Sequence, residues 1–221
     1  DGIVADASRI KACIPTIKLA LENNAKVLLI SHLGRPEEGK FEEKFSMKPV
    51  AESLSSIINQ EVGLVDRLDS EDIFKSSFNI QILENIRFFK GEKANDKDLG
   101  NTLANLGDIY VFDAFGTAHR EQASTHSAIE QSKIACAGLL LEREIDFLTK
   151  ALNDYQNPYV AIIGGAKVST KLELIKYINN VADNIIVGGG IANTFILASG
   201  LNVGKSLVEE TMLDTAKSIL D

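Results

Sequence analysis

Residues 26–36, KVLLISHLGRP, join a short apolar run directly to a loop of polar and basic side chains. The run from Lys26 to Ile30 shows no polar alternation, which is typical of a parallel strand that is covered on both faces. The same pattern, a short aliphatic run bounded by turn residues, recurs at 79–83, 108–112, 159–163 and 184–187. We therefore predict strands at these five places, with residues 62–65 as a weaker sixth candidate.

Helical periodicities fill the intervals between the predicted strands. A first helix is predicted from an apolar face that comprises Ile10, Cys13, Ile14, Ile17 and Leu21. Pro15 lies inside this pattern and is expected to kink the helix or to mark an early turn. A second helix is predicted over residues 47–58 with Ser46 as its N-cap, and a third is expected to end at Gly107. This alternation of strands and helices predicts an α/β fold with mostly parallel sheets.

The longest predicted helix, residues 138–152, divides the chain. It is followed by the polar break NDYQNP (153–158), and then by a new strand, a glycine-rich loop and a helix. We therefore expect a first domain over residues 1–137, a connecting helix and linker over 138–157, and the start of a second domain over 158–221.

Composition and charge exclude several classes of protein. With 45% hydrophobic and 24% charged residues, the chain can bury a core and is not predicted to be disordered. The 31 acidic residues outnumber the 23 basic ones, which disfavours a nucleic-acid partner. Cys13 and Cys136 form no CxxC pair, which fits a reducing cytoplasm. Residues 184–202 form the longest uncharged run but contain three consecutive glycines, so no membrane span is predicted. No signal peptide is predicted, because the first residues show neither a basic region nor an apolar run.

Three arginines lie in loops that directly follow predicted strands. Arg35, Arg87 and Arg120 occupy these places, with His32 and His119 beside them. In open parallel sheets, ligands bind beyond the carboxyl ends of the strands, and guanidinium groups match phosphate and carboxylate oxygens bidentately. Each arginine alone could equally be a solvated residue paired with Glu84 or Asp113. The three together favour an anion site.

The second half of the chain carries glycines and lysines at the corresponding places. Gly164 and Gly165 end a predicted strand, and Lys167 and Lys171 are expected to open the next helix, with both lysines on one face. Such a loop suits phosphate, although it is not a Walker A sequence and Gly188–Gly190 does not complete GxGxxG. For Gly190, tight packing between strand and helix is an equally good interpretation. No cysteine lies at ligand spacing from the histidines, so no metal site is predicted within the chain.

Five motifs resemble the phosphoglycerate kinase family in the family's order and spacing. They are SHLGRP (31–36), ILENIRF (82–88), DAFGTAHR (113–120), AIIGGAKVSTK (161–171) and IIVGGGIANTF (185–195), and ASRIKACIPTIK (7–18) also resembles a family segment. The resemblance implies a cytoplasmic monomer with two Rossmann-like domains that are joined by a long helix and close like a hinge. The implied reaction is glycolytic: ATP and 3-phosphoglycerate give ADP and 1,3-bisphosphoglycerate, reversibly and with Mg²⁺.

The resemblance also implies a role for each matching residue. It assigns the 3-phosphoglycerate pocket to His32, Leu33, Gly34, Arg35, Arg87 and Arg120. Arg9 would neutralise the transferring phosphoryl group. Gly165, Lys167 and Lys171 would hold the nucleotide phosphates, and Lys171 would also follow the transferred group. Gly188 and Gly189 would flank the nucleoside.

The resemblance further implies that parts of the family's site lie outside residues 1–221. The family's opening strand would precede Asp1, and the rest of the nucleotide pocket and the carboxylate that binds Mg²⁺ would follow Asp221. We therefore expect the 221 residues alone to be inactive. Two other classes compete with this interpretation. One is a non-catalytic anion- or nucleotide-binding α/β module, and the other is a nicotinamide-dependent oxidoreductase, whose GxGxxG turn is missing from the first strand.

Overall fold

The computed structural model describes residues 3–68 and 73–220, and the chain folds as two compact units. The first unit comprises Asp1–Phe147 and the second Leu148–Asp221. The division falls inside a helix, Leu139–Asn153, that occupies the place of the predicted connecting helix. The α/β class with parallel sheets is confirmed, whereas the predicted domain boundaries at 137 and 158 stay predictions.

A three-stranded parallel sheet forms the centre of the first unit. Its strands are β1 (Val27–Leu29), β2 (Val62–Val65) and β3 (Ile80–Leu83), in the spatial order β1-β3-β2. Helices α1 (Ser8–Glu22) and α2 (Lys48–Ile58) bury their apolar faces against it, so that Ile17, Leu54 and Ile80 share one cluster. Every residue from Ile80 to Phe88 is buried, so burial continues past the end of β3 into the following loop.

A second, two-stranded parallel sheet completes the first unit. It pairs β4 (Tyr110–Phe112) with β5 (Ala135–Ala137). Helix α3 (Lys97–Ala104) and a π-helical turn, Ala123–Ser127, which continues as α4 (Ala128–Gln131), pack Leu103 and Ala128 into a core with Leu83 of β3. The sequence did not predict β5, because its three residues are small and are neither β-branched nor aromatic, so they lack the strand signature; all three are exposed in the structure.

Two local predictions for the first unit are wrong, and a third is wrong in part. Pro15 marks no early turn, since α1 runs through it from Ser8 to Glu22, and the alternative of a kink at Pro15 stays a prediction. Ser46 is not the N-cap of α2, because Met47 takes that position. The Ser46 hydroxyl still accepts from the Lys48 N–H at 3.2 Å, and it donates to Glu84 Oε2 at 2.8 Å. Gly107 does not end α3, whose last residue is Ala104.

The second unit is built on another parallel pair of strands. Helix α5 (Leu139–Asn153) leads into it, and β6 (Val160–Gly165) pairs with β7 (Asn184–Gly188). Helices α6 (Leu172–Asn179), α7 (Gly189–Ala198) and α8 (Leu213–Leu220) pack on this pair, with a core that includes Val168, Ile175 and Ile191.

The prediction that Lys167 and Lys171 share a helix face is wrong. Residues 168–171 form a turn in which the Lys171 N–H donates to the Val168 carbonyl at 2.9 Å. Helix α6 therefore begins only at Leu172, and Lys167 lies in the loop before it.

Short 3₁₀ turns occur at Glu43–Phe45, Ile86–Phe88, Phe115–Thr117 and Glu210–Met212. Among the residues that the structure describes, no helix combines the length and apolar character needed to cross a bilayer.

Candidate functional site

A cleft of about 360 Å³ lies in the first unit where the three predicted arginine loops meet. Its lining residues are His32, Arg35, Arg87, Lys93, Arg120 and Gln122. The structure thus brings together the histidine and the three arginines that sequence reasoning grouped. His119 does not line the cleft, although it follows the same strand as Arg120.

Arg87 is the most enclosed of these arginines because it lies in the turn Ile86–Phe88 that directly continues buried β3. Its guanidinium Nη1 donates to the carbonyl oxygen of Gly34, and its residue is only 9% exposed. Burial lowers the pKa of Arg87, and the charge of Arg120 lowers it further. Because burial penalises this charge, an anion that enters the cleft offers it a strong, charge-assisted hydrogen-bond partner.

Buried polar groups hold the loop of residues 31–36 against β3. The Asn85 side chain, which is fully buried, donates to the carbonyls of Leu33 at 2.7 Å and Phe45 at 2.9 Å. Leu33 and Gly34 therefore present their carbonyl oxygens to the protein, while the Leu33 side chain is 39% exposed. Any contact of these two residues with a ligand stays a prediction.

Neither carboxylate considered as a partner for the arginines is free. Glu84 is buried and accepts hydrogen bonds from the Met47 and Asn85 N–H groups at 2.6 and 2.9 Å. Asp113 accepts from the Thr16 hydroxyl at 2.6 Å and the Leu141 N–H at 2.9 Å. These contacts support the interpretation that the arginines serve an anion and not these carboxylates.

His32 is held in its neutral form by its surroundings. Burial, and then the charges of Arg87, Arg120 and Arg9, lower its pKa to about 4. At neutral pH the imidazole can therefore exchange hydrogen bonds with a ligand without adding to the positive charge. The effect also shows that the charge of Arg9, an exposed residue in the first turn of α1, reaches His32.

Lys93 and Gln122 line the cleft but were missed in the sequence analysis. The Lys93 ammonium group donates to the Pro36 carbonyl at 3.1 Å, which fixes it at the mouth of the 31–36 loop. No local signal singles out these two residues, because each lies in a polar stretch that resembles solvated surface.

In the second unit, the predicted nucleotide residues gather at the carboxyl ends of β6 and β7. Gly165 pairs with Gly189 across the two strands, and Gly188 is the N-cap of α7. The Lys171 Cε lies 3.7 Å from the position that a Cβ on Gly165 would occupy. This edge offers the backbone N–H groups at the start of α7, the side-chain-free Gly165 and the ammonium group of Lys171. Together these groups form a surface suited to phosphate. Lys167 is exposed in the same loop.

A contact over 40 residues of sequence fixes this phosphate-suited loop. The Ser169 N–H donates to Glu209 Oε2 at 2.9 Å, and the Ser169 hydroxyl donates to Oε1. These hydrogen bonds, together with the charge of Lys167, lower the pKa of Glu209. The sequence could not pair Ser169 with Glu209, since both lie in unremarkable polar segments.

Gly190 has the packing role that the sequence analysis left open. A Cβ at this position would lie 2.3 Å from the carbonyl oxygen of Ala166, so no other residue fits without a backbone shift. This close approach seats the start of α7 against the end of β6.

The described part of the chain contains no group of three or more histidine, cysteine or carboxylate side chains that could hold a metal ion. The expectation that the Mg²⁺ carboxylate lies outside residues 1–221 stays a prediction, because Mg²⁺ at a nucleotide needs only one or two protein carboxylates beside the phosphates.

Comparisons with known proteins agree on one family. The sequence profile of phosphoglycerate kinase matches residues 1–221. The phosphoglycerate kinase of Desulfovibrio desulfuricans is 50% identical over 220 residues, which cover all of this chain and 56% of the relative. Among solved structures, the phosphoglycerate kinase of Coxiella burnetii superposes with a TM-score of 0.83 at 46% identity, and that of Pyrococcus horikoshii with 0.84 at 31%.

These matches cover all of this chain but only 56% and 59% of the two solved chains, so the sequence spans a little over half the length of its relatives. Because the family profile extends over every residue, the chain belongs to the phosphoglycerate kinase family.

Proposed function

We propose that the protein carrying these residues transfers a phosphoryl group between ATP and the carboxylate of 3-phosphoglycerate, as a glycolytic enzyme. The products are 1,3-bisphosphoglycerate and ADP, and the reaction is reversible. One observation carries the proposal: three arginines from separate loops converge with a neutral histidine on one cleft, in a chain that belongs to this family.

The anion cleft suits the acceptor substrate. 3-Phosphoglycerate carries a phosphate and a carboxylate, and Arg35, Arg87 and Arg120 supply charged donors for its oxygens. His32 would exchange a hydrogen bond with the substrate, since it is neutral at pH 7. In the direction that consumes ATP, the attacking carboxylate is already ionised, so no general base is needed and catalysis rests on positioning and charge neutralisation.

The glycine edge of the second unit suits the nucleotide. We infer that Gly165, Lys167 and Lys171 hold the phosphates, and that Gly188 and Gly189 flank the nucleoside. Lys171 and Arg9 would neutralise the transferring phosphoryl group, whose charge spreads over its equatorial oxygens in the transition state.

Mg²⁺ would accompany the nucleotide and neutralise part of its phosphate charge. We expect its protein carboxylate outside residues 1–221, as the family resemblance implies. We further propose that the protein acts as a cytoplasmic monomer with small-molecule partners only. The competing proposal, a non-catalytic anion- or nucleotide-binding module, predicts that both ligands bind without turnover.

The decisive experiment is a coupled assay of ATP consumption with 3-phosphoglycerate, performed on the complete gene product that contains this sequence. Turnover supports the kinase, and binding of both ligands without turnover supports the non-catalytic module.

An Arg87→Ala variant tests the assignment of the cleft in the same assay. It should weaken 3-phosphoglycerate binding at least about tenfold, the effect of losing one charged hydrogen bond, and leave ATP binding unchanged. Arg67→Ala is the matched control, because Arg67 is exposed and outside the cleft. Equal losses for both ligands in Arg87→Ala would contradict separate binding sites.

A further inference from the structure

Glu92 is a buried carboxylate next to Lys93, which lines the anion cleft, but Glu92 does not line the cleft itself. It is 2% exposed, and burial raises its pKa. A buried charge of this kind destabilises a fold unless hydrogen bonds satisfy it, so its partners indicate what it does.

The partners of Glu92 lie in the segment that carries Arg120. The Ser124 hydroxyl donates to Glu92 Oε1 at 2.6 Å, and the Ser124 N–H donates to Oε2 at 3.0 Å. The Glu92 main-chain carbonyl accepts from the Ala123 N–H at 2.9 Å. Three hydrogen bonds thus join Glu92 to the neighbouring residues Ala123 and Ser124.

The segment held by Glu92 is itself stiff. Thr125 receives a hydrogen bond from the Gln122 N–H at 3.3 Å, and its hydroxyl donates to the Arg120 carbonyl. The Tyr110 hydroxyl donates to the Ser124 carbonyl at 2.7 Å. Because residues 120–125 are tied together, a fixed Ser124 also fixes the backbone from which Arg120 and Gln122 enter the cleft.

The residues on either side of Glu92 bind Glu38, which closely follows the loop that carries His32 and Arg35. Glu38 accepts hydrogen bonds from the Lys93 N–H at 2.8 Å and, more weakly, from the Gly91 N–H at 3.5 Å. Residues 91–93 therefore connect the loop of His32 and Arg35 with the segment of Arg120.

We propose that Glu92 is a positioning residue, which holds the segment of Arg120 in register with the segment of Arg87. Glu92 contacts no ligand in this proposal and acts through Ser124. This proposal rests on the proposed function, because it takes 3-phosphoglycerate as the ligand that the two arginine segments bind.

The test compares variants of the complete gene product in the coupled assay. Glu92→Ala removes both side-chain hydrogen bonds and should raise the KM for 3-phosphoglycerate about tenfold, with the KM for ATP unchanged. Glu92→Gln can keep both bonds, with its carbonyl accepting from the Ser124 N–H and its amide donating to the hydroxyl. It should therefore restore most of the lost affinity.

Two further variants keep the test interpretable. Ser124→Ala removes only the hydroxyl bond and should raise the same KM by a smaller factor, which provides a reading if Glu92→Ala does not fold. Glu52→Ala, at an exposed position on α2, is the matched control and should change neither KM.

Three outcomes would overturn the proposal: an unchanged KM for 3-phosphoglycerate in Glu92→Ala, an equal rise in both KM values, or a Glu92→Gln variant as impaired as Glu92→Ala. Amide hydrogen exchange at Ser124 separates this proposal from the proposed function. If the wild-type protein does not bind 3-phosphoglycerate, the function fails, whereas faster exchange in Glu92→Ala than in Glu92→Gln still demonstrates the tether.

Discussion

Lowering the pH should destabilise the first unit because His32 binds a proton more readily in the unfolded chain than in the folded chain. This contribution is separate from those of other titrating groups. The pKa of His32 is about 4 in the folded protein, against an ordinary value of 6.5. Between these values the unfolded chain binds a proton that the folded chain does not. The stability that a neutral His32 provides is therefore complete above pH 6.5 and is lost as the pH falls toward 4.

The size of this effect follows from the two pKa values. A difference of one bound proton changes the free energy of unfolding by about 1.4 kcal/mol per pH unit, so the upper limit here is roughly 3 kcal/mol. His32 is only partly buried, and solvent screens the charges of the arginines around it. We therefore expect about 1.5 kcal/mol.

The assay is urea denaturation followed by circular dichroism at pH 7.5, 6.0 and 5.0, for the wild-type chain and for His32→Gln. Glutamine does not titrate, so the difference between the two proteins isolates His32 from the carboxylates that titrate in both. The wild-type chain should lose stability relative to the variant as the pH falls. Parallel curves over this range would refute the reasoning that burial and arginine charge keep the imidazole neutral.

Three other predictions concern the role of Lys171, the activity of the 221-residue chain alone and the packing at Gly190. Lys171→Ala in the complete gene product should lower kcat by about tenfold or more, measured in the coupled assay, since its charge matters most in the transition state; a rise in the KM for ATP alone would assign it to uniform binding. The 221-residue chain alone should bind 3-phosphoglycerate in calorimetry but show no turnover with MgATP, and turnover comparable to the complete protein would show that the nucleotide and metal sites are misplaced. Gly190→Ala should destabilise the second unit by about 1–3 kcal/mol in thermal denaturation, because its Cβ would meet the Ala166 carbonyl at 2.3 Å; an unchanged midpoint would mean that the loop yields freely.

β3, which carries Arg87, could be predicted because burial on both faces leaves a direct signature in sequence, whereas β1 and β4 are only partly buried and were predicted from their apolar runs alone. The run at 79–83 contains β3, whose residues are all buried, and even the weak candidate at 62–65 is a strand. β5 could not be predicted, since three exposed small residues carry no such signature. Helix boundaries were predicted only to within a few residues: α2 begins at Lys48 with Met47 as its N-cap, although the Ser46 hydroxyl does accept from the Lys48 N–H.

The cleft was predictable to the extent that its residues follow strands. Arg35 and Arg87 follow β1 and β3 of one parallel sheet, so chain topology places them at one edge, whereas Arg120 follows β4 of the second sheet and reaches the cleft through tertiary packing. Glu92 and Ser124 lie 32 residues apart, and nothing in either local sequence indicates that they meet. The pairing of Ser169 with Glu209 was hidden for the same reason. Local patterns identify what faces a ligand, whereas the groups that hold those residues in place depend on contacts between distant segments.

The uninterrupted burial from Ile80 to Phe88 has a consequence for laboratory evolution of the cleft. Arg87 is carried on a segment in which a substitution at almost any position alters the packed interior as well as the ligand surface. Libraries that randomise this segment will therefore be dominated by misfolded clones. The loop at residues 31–35 is mostly exposed and reaches the same cleft through His32 and Arg35. Changes in anion preference are accordingly to be sought at positions 32 and 35 of that loop, and not at Gly34, whose φ is +62° and whose Cβ would lie 2.3 Å from the Phe45 ring.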